Sequence, residues 1–315
     1  MKTLLLFFLI AQQRPVEKSA LDAMMKELSN WGRWGATDQL GTVNLITSET
    51  RRRAAGLVKE GYSISLSRDA DKEKAVDNGR PFGHKMMTKG GSKDEMFATD
   101  TYTVSFHGAG LTHLDAMSHL GHEGKLYNGY AQSQIDMSGA HQLDVSAYKN
   151  GFFGRGILID IPLLKGVKYL EPGTGIYPED LEAWEKKAKI KIGSGDIVFI
   201  RTGRWARRAE KGPWDTDANS AGLHVSSVRW LKQRDIAIVG SDVHAELMPS
   251  PVPGFAYPVH QLLLVAMGTP MLDNCDLEGL SNTAAKRGRW EFLLSAAPLV
   301  VPLGTGSPLN PIATF

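Results

Sequence analysis

Between His107 and His119 the chain reads His-Gly-Ala-Gly-Leu-Thr-His-Leu-Asp-Ala-Met-Ser-His, so three histidines and one carboxylate fall within thirteen residues. His113 and Asp115 are two apart and face the same side of an extended backbone. His119 lies four beyond Asp115, so one helical turn would bring it back beside that carboxylate. Gly108 and Gly110 permit tight, positive-φ geometry between the side chains. Neutral imidazole and carboxylate suit zinc, manganese or iron. Such an ion lowers the pKa of bound water from near 16 to roughly 7, and it can polarise a carbonyl. A histidine beside the ion but not bound to it could take a proton from water and pass it to a leaving nitrogen. Hydrolysis of an amide needs those three services. A lone histidine would read as a core or surface residue; four donors grouped beside two glycines argue against that.

The elements that must position this group alternate between strand and helix. Helices are expected from Ser19 to Ser29, from Thr47 or Ser48 to before Gly61, from Pro178 to Ile190, over Val225–Arg234, and over Pro258–Met267 with Gly268 as the stop. Strands are expected at Tyr62–Leu66 and Tyr102–Phe106, and as buried apolar runs at Gly156–Ile161, Asp196–Arg201 and Ile236–Val239, with Phe292–Val301 closing the set. Buried strands interleaved with helices indicate an α/β (mixed α+β) domain. Histidine or acidic residues stand at several strand ends (His107, Asp160, Asp242), where open sheets place ligands. The polar stretch Ser67–Lys93 reads as a long lid loop, and Glu210–Gly222 as a second loop.

With 315 residues the chain fits one large domain, and 22% charged residues with a net charge of +2 imply no strong field. The clusters Arg51–Arg53 and Arg204, Arg207, Arg208 read as solvated helix faces or loops rather than a polyanion site, so no nucleic-acid partner is expected. The single Cys275 excludes an internal disulfide, and its apolar and acidic surroundings oppose thiol reactivity. Leu4–Ala11 is too short for a membrane span and suits the apolar region of a secretory signal, with Lys2 before it; an internal start is the other reading. Export or a cytoplasmic location therefore both remain open, with 1–18 as a signal or disordered segment and 19–315 as the domain. No Gly-x-Ser-x-Gly elbow is present, and Gly304-Thr-Gly306 lacks the lysine and helix of a phosphate loop.

At these residues the chain resembles the cyclase-like metal-dependent hydrolases, the family of bacterial kynurenine formamidase and isatin hydrolase. His107-Gly108, Thr112-His113, Asp115 and His119 follow the family's longer signature, His-Gly-x-x-x-Thr-His-x-Asp-x-x-x-His. The stretch Trp34-Gly35 through Asp38, Gly41 and Asn44 resembles its N-terminal motif. Gly240-Ser241-Asp242, Pro249-Ser250-Pro251, Pro258-Val-His260 and Leu272-Asp273-Asn274 resemble its later ones. The resemblance implies a swivelling β/β/α fold, with His107, His113 and Asp115 as metal ligands and His119 as general acid/base. It also implies His260 and Asp273 as the completion of a site for one or two Mn or Zn ions, and a homodimer or higher homo-oligomer. His107 stands six before His113 where the short signature has four, so His107 is either a direct ligand or displaced from that position; Asp273 stands where the formamidases have Glu, so a single-ion site is also compatible.

Other side chains have two readings. Trp34 and Trp31 either stack on a flat substrate or pack internally, and Tyr127 and Tyr130 share that ambiguity. His84 either reaches substrate or lies on the surface; His224 and His244 either line the pocket or serve the structure; His122 is placed beside the site or at the surface. Asp242 either orients a ligand histidine or caps the next turn. The reaction expected is hydrolysis of a C–N bond, other than a peptide bond, in a small cyclic or aryl amide. The alternatives are a non-catalytic metal or small-molecule binding protein, or a lactonase or dehydratase on the same scaffold.

Overall fold

Four apolar segments that cannot face water form the centre of the molecule: Phe152–Asp160, Ile197–Arg201, Ile238–Ser241 and Met271–Asp273. They lie side by side and parallel, as strands covered on both faces do. Side chains alternate between two cores. Ile157, Ile159, Val198, Ile200 and Val239 point to one; Leu158, Ile197, Phe199 and Ile238 point to the other. Antiparallel strands extend the sheet at both edges to nine. Glu291–Ala296, Ile312–Thr314 and Ser63–Ser65 follow beside Phe152–Asp160, while His113–Asp115 and Gly306–Pro308 follow beside Met271–Asp273. The first core is closed by helices Lys18–Glu27, Pro178–Ala188 and Ser227–Gln233 and by Pro258–Met267.

This computed structural model describes residues 14–315. The apolar run at 4–11 lies outside the described residues. Among those described, no helix is long and apolar enough to cross a membrane. Residues 14–18 belong to the packed body: the Val16 amide donates to Pro251 O at 2.9 Å, and the Arg14 guanidinium lies 4.2 Å from the Tyr177 ring centre. The first helix starts at Lys18, one residue before the expected cap. Thr47 does cap its helix, accepting from the Thr50 amide.

Three expectations fail. Ser67–Lys93 is not one loop: Gly83–Gly91 pairs with Met96–Thr103 as a two-stranded hairpin arm whose second strand is exposed throughout. The strand placed at Tyr102–Phe106 is therefore the end of that arm, at Thr103, and the main-sheet strand nearest the motif is His113–Asp115 itself. The third concerns Arg204 and Arg208, which are not a solvated face. Arg204 is buried and both bond Asp77, because helix Arg204–Lys211 packs its arginines inward. The segment Pro258–Met267 is helical as expected, but it widens into π geometry from Gln261 before Gly268 stops it with φ +65°.

Candidate metal centre

Register builds the centre. In the antiparallel pair, His113 stands opposite Asp273 and Asp115 opposite Met271. His113, Asp115 and Asp273 thus share one face, while Leu114 and Leu272 are buried in the core behind them. His113, Asp115, His260 and Asp273 are between 1% and 4% exposed. His260 arrives from the start of its helix, where Glu246, wholly buried, accepts from both the His260 amide (2.7 Å) and Nδ1 (3.0 Å). That leaves Nε2 facing Asp115 Oδ2 at 3.7 Å and Asp273 Oδ2 at 3.5 Å. His113 repeats the pattern: Nδ1–H donates to Leu111 O at 2.8 Å, and Nε2 stands 3.4 Å from Asp115 Oδ1. A second group bonded to one ring nitrogen, with the other aimed at carboxylates, is the usual surrounding of a metal-ligating histidine.

His107 also reaches the centre. Its Nδ1 lies 2.9 Å from Asp115 Oδ1, and its Nε2 lies 3.0 Å from Thr305 Oγ1. Although close, His107 Nδ1 and Asp115 Oδ1 make no hydrogen bond of proper geometry, and Asp273 Oδ1 is likewise buried without a partner. His119 stacks on His107, ring centres 3.9 Å apart at 14°. Two donor groups result, His107–Asp115–His119 and His113–Asp115–Asp273, each with ligand atoms within 4.8 Å of one another and with Asp115 common to both. Gly108 takes φ +146°, as a turn between ligands requires, whereas Gly110 has no positive φ and serves by leaving room for Asn78. Gly306 makes the His107 position available, since a Cβ there would meet Leu114 O and stand 2.9 Å from His107 Cε1.

The charges fit a cation. Burial would raise the Asp115 carboxyl, but His119, His113 and His107 hold it well below the ordinary range. Burial opposes charge on His113 and His260, yet the carboxylates around them, Asp115 foremost, raise both, His260 strongly. Protons thus fill gaps that a divalent ion would occupy instead. Burial lowers the His119 imidazole to about 4; Asp115 opposes this, and the neighbouring imidazoles reinforce it. His119 is therefore neutral near pH 7 and able to accept a proton. Orphaned buried donor atoms, the His/Asp chemistry and the tautomers all fit an ion of the zinc or manganese type.

A cleft of about 240 Å³ opens beside His107, between Arg80 and Phe82 at the base of the hairpin and Asp215–Asp217. Of the sequence candidates, His107, His113, Asp115, His119, His260 and Asp273 come together. Trp34, His84 and His224 do not line this cleft. Trp34 lies under the Arg33 guanidinium. His84 is spent on the arm, 3.0 Å from Asp100. His224 bonds Ser226 and Arg14 O. Trp31 donates to Val265 O and Tyr127 to Asp38, which are packing roles. His244 bonds Thr216 O behind the cleft wall. Asp242 caps helix Arg204–Lys211, accepting from the Thr202, Gly203 and Arg204 amides, and orients no ligand. Burial, reinforced by nearby aspartates, pushes the Cys275 thiol well above its ordinary value. Glu246 and Thr305 were not legible as site residues, because a single acid or threonine in a loop carries no spacing signal.

The family model described as "Putative cyclase" matches residues 48–245, more than half of the chain. The chain belongs to the cyclase family. A crystal structure described as a novel cyclase is 35% identical, covering 92% of this chain and 99% of its own, with a TM-score of 0.82. Isatin hydrolase A from Labrenzia aggregata is 20% identical over 83% of this chain and 96% of its own chain (TM-score 0.57). Isatin hydrolase A from Ralstonia solanacearum is 19% identical over 83% and 93% (TM-score 0.56). The two hydrolases share the cyclase fold with this chain. No curated protein matches it.

Proposed function

We propose that this cyclase-family chain is a metal-dependent hydrolase that cleaves a C–N amide bond in a small cyclic or aryl amide, of the isatin or N-formylkynurenine kind. One observation carries the reading: the Nε2 atoms of His113 and His260 converge with Asp115 and Asp273 in a buried group that needs added positive charge, which a divalent ion would supply. His107, His113, Asp115, His260 and Asp273 would hold one or two ions, Mn or Zn. A bound divalent ion supplies Lewis-acid polarisation of a carbonyl and acidifies water. Neutral His119 takes a proton on its imidazole nitrogen and delivers it to the departing nitrogen. His107, Leu111 and Phe82 line the cleft that would take the substrate. The isatin hydrolases with the same fold support the substrate class.

Metal analysis of the purified protein, followed by assays on isatin and N-formylkynurenine with added Mn or Zn, tests this. Bound metal with no hydrolysis across amide, lactam and ester panels would point to a binding protein, and loss rather than gain of water to a dehydratase. A homodimer or higher oligomer belongs to the same reading. The exposed Met86, Met87, Met96 and Phe97 of the arm support it, and light scattering showing a monomer would refute it.

A further inference from the structure

We propose that Asn274, held by Arg204, is a positioning residue that fastens together the chain segments carrying His107, His113 and Asp273. The proposal rests on the reading of those three residues as ligands.

Asn274 follows Asp273 directly and is 1% exposed. Its Nδ2 donates to Gly108 O at 2.6 Å, one residue after His107. Its backbone carbonyl accepts from Thr112 Oγ1 at 2.8 Å, one residue before His113. Three prospective ligands therefore each have a chain neighbour on this one residue. The Asn274 amide donates to Val243 O at 3.0 Å, and its Oδ1 accepts from Arg204 Nη1. Every polar group of Asn274 is used, and none of these bonds reaches a ligand atom.

The backbone supports a selected position. Asn274 has φ +55°, a conformation asparagine tolerates better than other residues that carry a Cβ. Glycine would satisfy that φ more easily, but it could not tie Gly108 to Arg204. Arg204, 2% exposed, completes the tie by donating through Nη2 to Ala109 O at 2.7 Å and by meeting Asp77 at 3.3 Å. The loop 108–112 is thus gripped from Asn274 and from a helix whose first turn Asp242 caps. Catalytic and metal geometry tolerates displacements of only about 0.5 Å; a partner bonded directly to a ligand is typically worth about 10–100-fold in metal affinity, and a tie made through neighbouring residues falls at the low end of that range.

The test uses the full chain, stripped of metal and titrated with cobalt(II) well below its melting temperature. Asn274→Gly keeps the φ and removes the side-chain bonds. Asn274→Asp, nearly isosteric, keeps the acceptor for Arg204 and sets an oxygen against Gly108 O. Cobalt affinity is read by chelator competition and ligand geometry by the visible spectrum; His113→Ala is the control. Expected is about a 10-fold loss of affinity, the low end of what direct ligand partners are worth, and a changed spectrum in both folded variants, or in Asn274→Asp if the glycine variant does not fold. Wild-type affinity and spectrum in a folded variant overturn the positioning role while leaving the ligand reading intact. If the wild type binds no cobalt, or His113→Ala keeps the wild-type spectrum, the ligand reading itself fails and this proposal with it.

Discussion

His113 Nε2 stands 3.4 Å from Asp115 Oδ1, and because Nδ1 has given its hydrogen to Leu111 O, the neutral ring has no proton to offer the carboxylate. Two lone pairs facing each other in a buried site repel unless something positive lies near both. Either a proton converts His113 to imidazolium or a divalent ion takes that place.

From this follows a pH dependence. Without metal, the raised His113 and His260 hold extra protons above the ordinary imidazole range. Their contribution to apo stability is fully present below about pH 6.5, the unfolded value, and is lost as pH rises through the folded values. Metal binding must displace these protons, so affinity should rise with pH across that window and protons should be released. Calorimetry in buffers of differing ionisation enthalpy measures the release; no proton release on loading contradicts the assignment.

Replacing His119 by Ala should leave metal content unchanged while turnover drops by about 10²–10⁴-fold, the usual worth of a positioned acid/base. His119 is buried and stacked on His107, so a thermal melt must accompany the assay. Loss of metal together with rate would make His119 a ligand instead, and unchanged turnover would remove it from the chemistry.

Glu246 should matter without touching substrate. Its Oε1 holds both the His260 amide and Nδ1, so Glu246→Gln weakens the grip on the ring and its tautomer. The expected result is about a 10–100-fold fall in metal affinity with modest change in melting temperature at saturating metal. Chelator competition checks it, and wild-type affinity would reduce Glu246 to a helix cap.

Three of the four parallel strands were legible in the sequence because a strand covered on both faces is an unbroken apolar run, as at Ile197–Arg201; Met271–Asp273, three residues long, was not. The motif was legible because four donors crowd together. The hairpin was not, since Gly83–Gly91 lacks two-residue apolar alternation. Nor was the strand His113–Asp115, three residues long and recognisable only by its partners. Arg204 was misplaced because charge reads as surface until the structure shows its counter-charge and hydrogen-bond partners.

A fourth prediction lies far from the centre. Burial raises the Asp196 carboxyl to about 6, with Arg155 opposing. Between that value and the ordinary 3.8 the folded chain binds a proton the unfolded chain does not, so acidification through this window favours the folded state. Asp196→Asn removes the effect. The melting temperature of wild type minus variant should therefore increase as pH falls from 7 to 4.5, and a flat difference would argue against a buried, ionised Asp196 at neutral pH.

Thr112 and Asn274 lie 162 positions apart in the chain yet share a hydrogen bond beside the centre. The candidate donor group is thus closed across the chain by this bond and by the pairing of Met271–Asp273 with His113–Asp115. A chain in which Met271–Asp273 has not yet paired with His113–Asp115 would therefore lack the full donor set.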